Sequence, residues 1–149
     1  PERTYHYDIH ELTEVFNTDF EQFNPSDYSK PKKDPKNTYD EYYREFETEE
    51  AGVFRYMKVR DFQSGGRNFI LYTYKPNKYH RDHLRRLVVK LFSLYGIDDK
   101  GRGLYDEEDE MEMDQGDYWL GRTWFKHSKH PKISLSYDPE GGLNMVVFK

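Results

Sequence analysis

Three close pairs of histidines are the first residues whose type and spacing could support chemistry in this chain of 149 residues. On a helix, a spacing of three or four places two side chains on one face, as a metal ion requires of two ligands. The competing interpretation is that they are ordinary partly buried or turn residues, because no pair fits the HExxH pattern. We favour that interpretation and expect no cofactor, and a metal-dependent hydrolase remains an alternative function. The pairs are His6 with His10, His80 with His83, and His127 with His130. The candidate metal ligands are the histidines of the second and third pairs.

An acidic run, Asp106-Glu107-Glu108-Asp109-Glu110, is the second feature with possible chemistry. Carboxylates bind calcium, but a calcium loop beginning at Asp98 would have Lys100 and Arg102 at positions where ligands are required. Neighbouring like charges repel one another, so we expect a solvated loop over residues 96–117. A loop of this charge would attract a basic partner.

Charge is distributed unevenly along the chain. Residues 1–50 contain 6 basic and 14 acidic side chains, residues 51–100 contain 11 and 4, and residues 101–149 contain 6 and 10, which sums to −5. Cations beside aromatic rings on a sheet are what single-stranded nucleic acid binding requires, and the basic middle third supplies both. Strand alternation would bury about half of the rings, however, and the net acidity repels a polyanion. The candidate residues of this alternative are Arg55, Tyr56, Lys58, Arg67, Tyr72 and Tyr74.

Sequence motifs of common enzyme classes are absent. There is no GxSxG nucleophile motif, no phosphate-binding GxxxxGK[ST] and no GxGxxG after a strand. The chain has no Cys, which excludes a thiol nucleophile and a disulfide scaffold. No apolar run approaches the roughly 18 residues that span a bilayer, so we expect no membrane span. The sequence does not fix the compartment, although a cytoplasmic location is slightly favoured, and it leaves the oligomeric state open.

Two tryptophans near an arginine indicate a contact surface, because Trp, Tyr and Arg are enriched in protein interfaces. Trp119 and Trp124 are five positions apart, so strict alternation places them on opposite faces of a strand. One of them should then be exposed or covered by another element. The expected partner-binding residues are Trp119, Arg122 and Trp124 together with Glu107, Glu108 and Asp109.

The favoured function is therefore that of a small, acidic, non-enzymatic protein that acts by protein–protein contact. An inhibitor or an immunity-type neutraliser of a basic partner would fit this description. The expected partner is a protein, with a basic one favoured. Single-stranded nucleic acid binding through residues 53–90 and a His/carboxylate metal-dependent hydrolase are the alternatives.

Hydrophobic spacing predicts the elements that position these residues. Apolar residues recur at helical intervals over residues 9–23 and 38–50, and each segment begins with the spacing of a capping box. A period of two over residues 53–74, interrupted by two glycines, predicts a β-hairpin. The clearest helical stripe follows over residues 77–95, namely Leu84, Leu87, Val88, Leu91 and Leu94.

Strand-like runs over residues 118–125, 133–137 and 143–148 complete the expected order ααββαβββ. This order predicts a single α+β domain over residues 1–149, with a five-stranded, mostly antiparallel sheet and a central amphipathic helix packed on it. Residues 1–52 would form an N-terminal helical segment and residues 53–149 the α+β core. The 26 aromatic residues, 14 Tyr, 10 Phe and 2 Trp, would supply much of the core volume.

Overall fold

A seven-stranded antiparallel sheet dominates the structure. The structure, a computed structural model, describes residue 20 and residues 22–33, 35–36, 38–47, 54–74, 78–116, 118–126 and 132–148, without the side chains of residues 78–80 and 83. Within this part of the chain there are two α-helices and a short 3-10 helix, Pro25–Asp27. The strands are β1 Lys32–Lys33, β2 Tyr39–Glu45, β3 Tyr56–Phe62, β4 Arg67–Thr73, β5 Trp119–Trp124, β6 Lys132–Asp138 and β7 Gly142–Phe148. The helices are α1 Lys78–Tyr95 and α2 Glu107–Gln115.

The strands are ordered β1-β2-β3-β4-β7-β6-β5 across the sheet, and every neighbouring pair is antiparallel. Two meanders, β1 to β4 and β5 to β7, therefore meet at a central ladder between β4 and β7. In this ladder Ile70 pairs with Val146 and Leu71 pairs with Met145. Strands β1 and β5 form the two edges.

The two faces of the sheet differ because side chains alternate along each strand. On the core face, the inward side chains of β3, β4, β6 and β7 are buried in one hydrophobic cluster. The apolar stripe of α1 belongs to the same cluster, as does Phe20, so α1 covers this face. The inward residues of this core face are Met57, Val59, Phe69, Leu71, Ile133, Leu135, Leu143, Met145 and Val147. The opposite face, which we call the outer face, has partly exposed side chains.

The prediction of a five-stranded sheet with three helices, one of them central, in the order ααββαβββ is wrong. The segment 38–50 accounts for much of the error. Residues Tyr39–Glu45 form strand β2 instead of a helix. Tyr42 packs against the core cluster, whereas Tyr43 is 40% exposed on the other face. Aromatic side chains on both faces of a strand imitate a helical stripe, and Tyr also has high β-propensity. The predicted helix 9–23 lies outside the described residues apart from residues 20, 22 and 23, none of which is helical.

The expected solvated loop over residues 96–117 contains helix α2. Its N-cap, Asp106, accepts hydrogen bonds from the backbone N–H groups of Glu108 and Asp109, and Asp109 accepts one from the backbone N–H of Asp106. Acidic residues in a first turn also interact favourably with the positive end of the helix dipole. The run of like charge therefore begins a helix, because capping and dipole interactions outweigh its repulsion. The predicted hairpin 53–74, helix 77–95 and three C-terminal strands are confirmed as β3–β4, α1 and β5 to β7.

Candidate functional site

The predicted contact residues Trp119, Arg122 and Trp124 lie in the interior of the protein. Trp119 is 0%, Arg122 1% and Trp124 1% exposed, and Asp109 is also 0% exposed. None of these four side chains can contact a partner in this conformation. Glu107 and Glu108 remain exposed on the first turn of α2.

A β-bulge explains why both tryptophans are buried. Trp119 pairs with Tyr137 and Arg122 pairs with Leu135, so three steps along β5 correspond to two steps along β6. The extra residue restores the core-facing side after Gly121, which corrects the prediction from strict alternation. Gly121 has a φ of 61°, and a Cβ at this position would overlap the carbonyl oxygen of Leu135.

The buried polar groups bind one another. The carboxylate of Asp109 accepts hydrogen bonds from Arg122 Nη1 at 2.9 Å, Arg122 Nη2 at 2.8 Å and Trp119 Nε1 at 2.9 Å. Arg122 also donates to the carbonyl oxygens of Gly103, Gly121 and Leu104, so all five of its N–H groups have acceptors. Burial raises the pKa of Asp109, but the hydrogen bonds from Arg122 and Trp119 outweigh burial and lower that pKa below its ordinary value of 3.8.

Loops of the chain itself occupy part of each sheet edge. At β5, Asp99 donates its backbone N–H to the carbonyl oxygen of Thr123 at 2.8 Å. The Asp99 carboxylate accepts hydrogen bonds from the backbone N–H groups of Phe125 and Lys126 and from the Thr123 hydroxyl. At the other edge, Ser29 exchanges hydrogen bonds with the backbone of Tyr43, next to the two-residue strand β1. A partner strand therefore has little free backbone to pair with along these stretches.

The histidine pairs cannot be assembled into a site from the described residues. His80 and His83 lie on α1 with undescribed side chains, and His127 and His130 lie outside the described residues. In the described ranges no three His, Asp or Glu side chains are grouped as metal ligands would be. Over the same ranges no helix combines the length and the apolar character that crossing a membrane requires.

Four tyrosines form a continuous cluster on the outer face, which we call the tyrosine ladder: Tyr43, Tyr56, Tyr72 and Tyr74. Tyr43 with Tyr56 and Tyr56 with Tyr72 are offset stacks, with ring centroids 6.3 and 5.3 Å apart and interplanar angles of 27° and 28°. Tyr74 contacts Tyr72 and Tyr56 at 5.4 and 5.8 Å. Tyr74 is 53% exposed, whereas Tyr72 is buried. Burial and then the neighbouring Tyr74 and Tyr43 raise the pKa of Tyr72.

The arginines of residues 55–67 are paired with carboxylates. Arg60 binds Glu41 at 3.0 Å, Arg55 lies 3.2 Å from Glu45, and Arg67 lies 3.2 Å from Asp61. Arg67 also lies over the ring of Phe23, which packs against the core. Lys58 differs from these residues, because its ammonium nitrogen lies 5.1 Å from the centre of the Tyr72 ring and forms no ion pair with a described residue.

An open groove of about 550 Å³ lies between the tyrosine ladder and the β6–β7 turn. Lys58 and Arg60 are on its β3 side, and Asp138 and Glu140 are on its turn side. Ile70 and Val146, which pair across the central ladder, are also part of its lining. The groove is therefore shallow, aromatic and apolar in the middle, and oppositely charged at its two sides.

The acidic helix α2 is partly neutralised by arginines. Arg81 forms ion pairs with Glu110 and Asp114, and Arg85 lies 3.2 Å from Glu110. Arg102 lies 3.5 Å from Glu112 and 2.8 Å from Asp109, the latter without the alignment of a hydrogen bond. Because of these ion pairs, the acidic run attracts a basic partner less strongly than its sequence indicates.

Comparisons with protein-family models, with curated proteins and with solved structures find no match for this chain. The geometry of the outer face is therefore the basis for proposing a function. The sequence indicates Tyr56, Lys58, Tyr72 and Tyr74 only as candidates of the nucleic acid alternative, and it does not indicate Tyr43, which its spacing assigns to a helix. The signal that could have found Tyr43 is the alternation of Glu41, Tyr43 and Glu45 with Tyr42 and Arg44.

Proposed function

We propose that this chain is a non-enzymatic binding protein that contacts a protein partner through its outer face. The observation that carries the proposal is the tyrosine ladder, a cluster of rigid amphipathic side chains on an open sheet face. Tyr contributes large contact area at a low cost in conformational entropy, and its hydroxyl group forms hydrogen bonds at the rim. Two exposed members, Tyr43 at 40% and Tyr74 at 53%, flank the partly buried ones.

The ring geometry favours a protein over a single-stranded nucleic acid. Base stacking requires a ring face that is open to the ligand. In the ladder, the faces of Tyr43, Tyr56 and Tyr72 lie against one another, and Lys58 lies over Tyr72. Fewer ring faces are therefore open to stacking by bases, whereas the hydroxyl groups remain suited to hydrogen bonding with a protein partner.

The charge arrangement supports the same choice. Phosphate binding depends on cations that are free to replace counterions. Two of the three cations proposed for nucleic acid binding have carboxylate partners, namely Arg55 and Arg67. The adjacent Arg60 is paired as well. A protein surface of mixed charge complements such a face better than a polyanion does.

A photo-crosslinking experiment tests the proposal. Benzoylphenylalanine replaces Tyr43 or Tyr74 in separate variants, and it replaces Val89 in a control variant. Val89 lies on α1, which covers the core face, so it is on the opposite side of the sheet from the tyrosine ladder. It is 44% exposed and therefore similarly accessible. We expect protein adducts from Tyr43 and Tyr74 and few or none from Val89.

Two results contradict the proposal. One is an equal yield of adducts at all three positions, which indicates random collision. The other is binding of labelled single-stranded oligonucleotides that weakens steeply with salt, measured by fluorescence anisotropy, together with nuclease-sensitive adducts at the ladder. The second result would support the nucleic acid alternative.

A further inference from the structure

We propose that the partner of the outer face is a second copy of the same chain, packed face to face about a two-fold axis. This inference rests on the proposed function, because it names the occupant of the same surface. The axis crosses the strands at the level of Leu135, Met145, Leu71 and Met57, which are successive partners across β6, β7, β4 and β3.

The charge order along β6 is the first argument. Its outward side chains are Lys132, Ser134, Ser136 and Asp138, because Ile133 and Leu135 between them are buried in the core. The strand therefore has a cation at one end, an anion at the other and two hydroxyl groups between them. Reversing such a strand over itself pairs Lys132 with Asp138 and Ser134 with Ser136.

The outer face carries unpaired charges of both signs along the groove and strand β6. Lys58, Lys132, Asp138 and Glu140 form no ion pair with any described residue. Two of them are positive and two are negative, and the acidic pair is at the turn end of the sheet. A second copy with the reverse strand direction places its Lys132 near the acidic turn of the first copy at each end of the sheet, and an isologous interface requires this self-complementarity.

The outward side chains of β3, β4 and β7 are complementary in shape under the same two-fold axis. Ile70 of one copy faces Tyr72 of the other, and Lys58 faces Tyr56, which allows a cation–π contact. The bulky Phe148, 36% exposed, faces Gly142. Packed sheets cross at about −30°, so side chains near the two ends are displaced sideways by about one strand spacing, which the long lysine side chain can span.

The covered edges favour this face over strand addition. Because the backbone beside Thr123 and Tyr43 is already hydrogen-bonded to loops, a second copy gains more from side-chain contact than from edge pairing. The outer face of β2, β3, β4, β7 and β6 consists of five strands about 4.8 Å apart and about 20 Å long, which cover roughly 500 Å² on each copy. A total of about 1,000 Å² is at the lower end of specific interfaces, so we expect a dimer that dissociates in the micromolar range.

Analytical ultracentrifugation of the full chain tests the inference through a double-mutant cycle. Lys132→Asp places like charges opposite each other at two symmetric positions, and we expect it to weaken the dimer by about tenfold or more. Asp138→Asn should weaken the wild-type dimer by a few-fold but strengthen the dimer of the Lys132→Asp variant. Asn keeps the side-chain oxygen that accepts hydrogen bonds from the N–H groups of Glu140 and Gly141, so the turn is preserved.

Lys90→Asp, on the exposed part of α1, is the matched control and should leave the dissociation constant unchanged. Circular dichroism checks that each variant is folded. A change of sign of the Asp138→Asn effect between the two backgrounds supports the proposed register. A dimer that is insensitive to Lys132→Asp overturns the inference, because it must form through another surface.

The failure of this inference is distinguishable from the failure of the proposed function. A chain that is monomeric at all concentrations, but forms adducts with another protein at Tyr43 and Tyr74, overturns the dimer and leaves the proposed function standing. A monomeric chain with no adducts at the ladder contradicts both.

Discussion

Asp109 and Arg122 form a two-armed ion pair in the protein interior, with Nη1–Oδ1 and Nη2–Oδ2 distances of 2.9 and 2.8 Å. The pair joins the first turn of α2 to strand β5, and Trp119 adds a third contact to the same carboxylate. Buried charges are tolerated where every donor and acceptor has a partner, as is the case here. The pair therefore fixes the position of α2 on the sheet.

Breaking this pair should be costly. Arg122→Met removes the only cation that is hydrogen-bonded to the buried Asp109 carboxylate and leaves Arg102 as its one remaining ion-pair partner among the described residues, so we expect the free energy of unfolding to fall by about 3 kcal/mol. Urea denaturation followed by tryptophan fluorescence measures the change. Arg86→Met, at an exposed position of α1, is the control and should change stability by less than about 0.5 kcal/mol. A loss below about 1 kcal/mol for Arg122→Met would show that the pair is not important for stability.

Acid should destabilise the protein through the same carboxylate. Because folding lowers the pKa of Asp109, the unfolded state binds more protons, and the stability from this group is complete only above the ordinary value of 3.8. The free energy of unfolding should therefore decrease as the pH falls below about 4. In Asp109→Asn this decrease should be smaller, although the variant is less stable at neutral pH. An identical slope in both proteins would contradict the assignment.

The bulge in β5 should require glycine. An alanine at Gly121 adds a methyl group that overlaps the Leu135 carbonyl oxygen, and it also adopts a positive φ. We expect Gly121→Ala to destabilise the protein by more than about 2 kcal/mol, which thermal unfolding can measure. Gly116→Ala is the matched control, since Gly116 has a φ of 73° and no atom within 4 Å of its Cβ position. Its cost should be the backbone strain alone, about 1 kcal/mol. Equal effects of the two substitutions would rule out the overlap as the cause.

The Asp99 side chain should protect the β5 edge. Asp99→Ala removes the acceptor for the N–H groups of Phe125 and Lys126, so we expect a loss of about 1–3 kcal/mol and faster aggregation. Light scattering at constant temperature follows the aggregation. The control is Asp82→Ala on α1, whose carboxylate is 61% exposed. If both variants aggregate at the wild-type rate, the hydrogen bonds of Asp99 do not protect the edge.

Local patterns allowed the hairpin of β3 and β4, the helix α1 and the last three strands to be predicted from the sequence. In each case one periodicity dominates, as in the stripe of Leu84, Val88 and Leu91. Strand β2 was not predictable in this way, because Tyr42 and Tyr43 are neighbours that serve opposite faces. The pairing of β4 with β7 is a long-range choice that no local pattern determines.

The candidate site was partly predictable for a similar reason. The rings of Tyr56, Tyr72 and Tyr74 follow strand alternation, so their place on one face could be inferred. The burial of Trp119 and Trp124 could not, because one glycine bulge changes the alternation between them. The partners of Asp109 likewise depend on α2, which forms where charge repulsion alone predicted a loop.

The central ladder sets an order of events during synthesis. Ile70 and Val146 are partners separated by 146 − 70 = 76 positions, so β4 emerges from the ribosome long before the strand that will lie beside it. The first meander has one unpaired edge until strand β7 has been synthesised. A nascent chain of this protein is therefore most in need of a chaperone between the completion of β4 and the completion of β7.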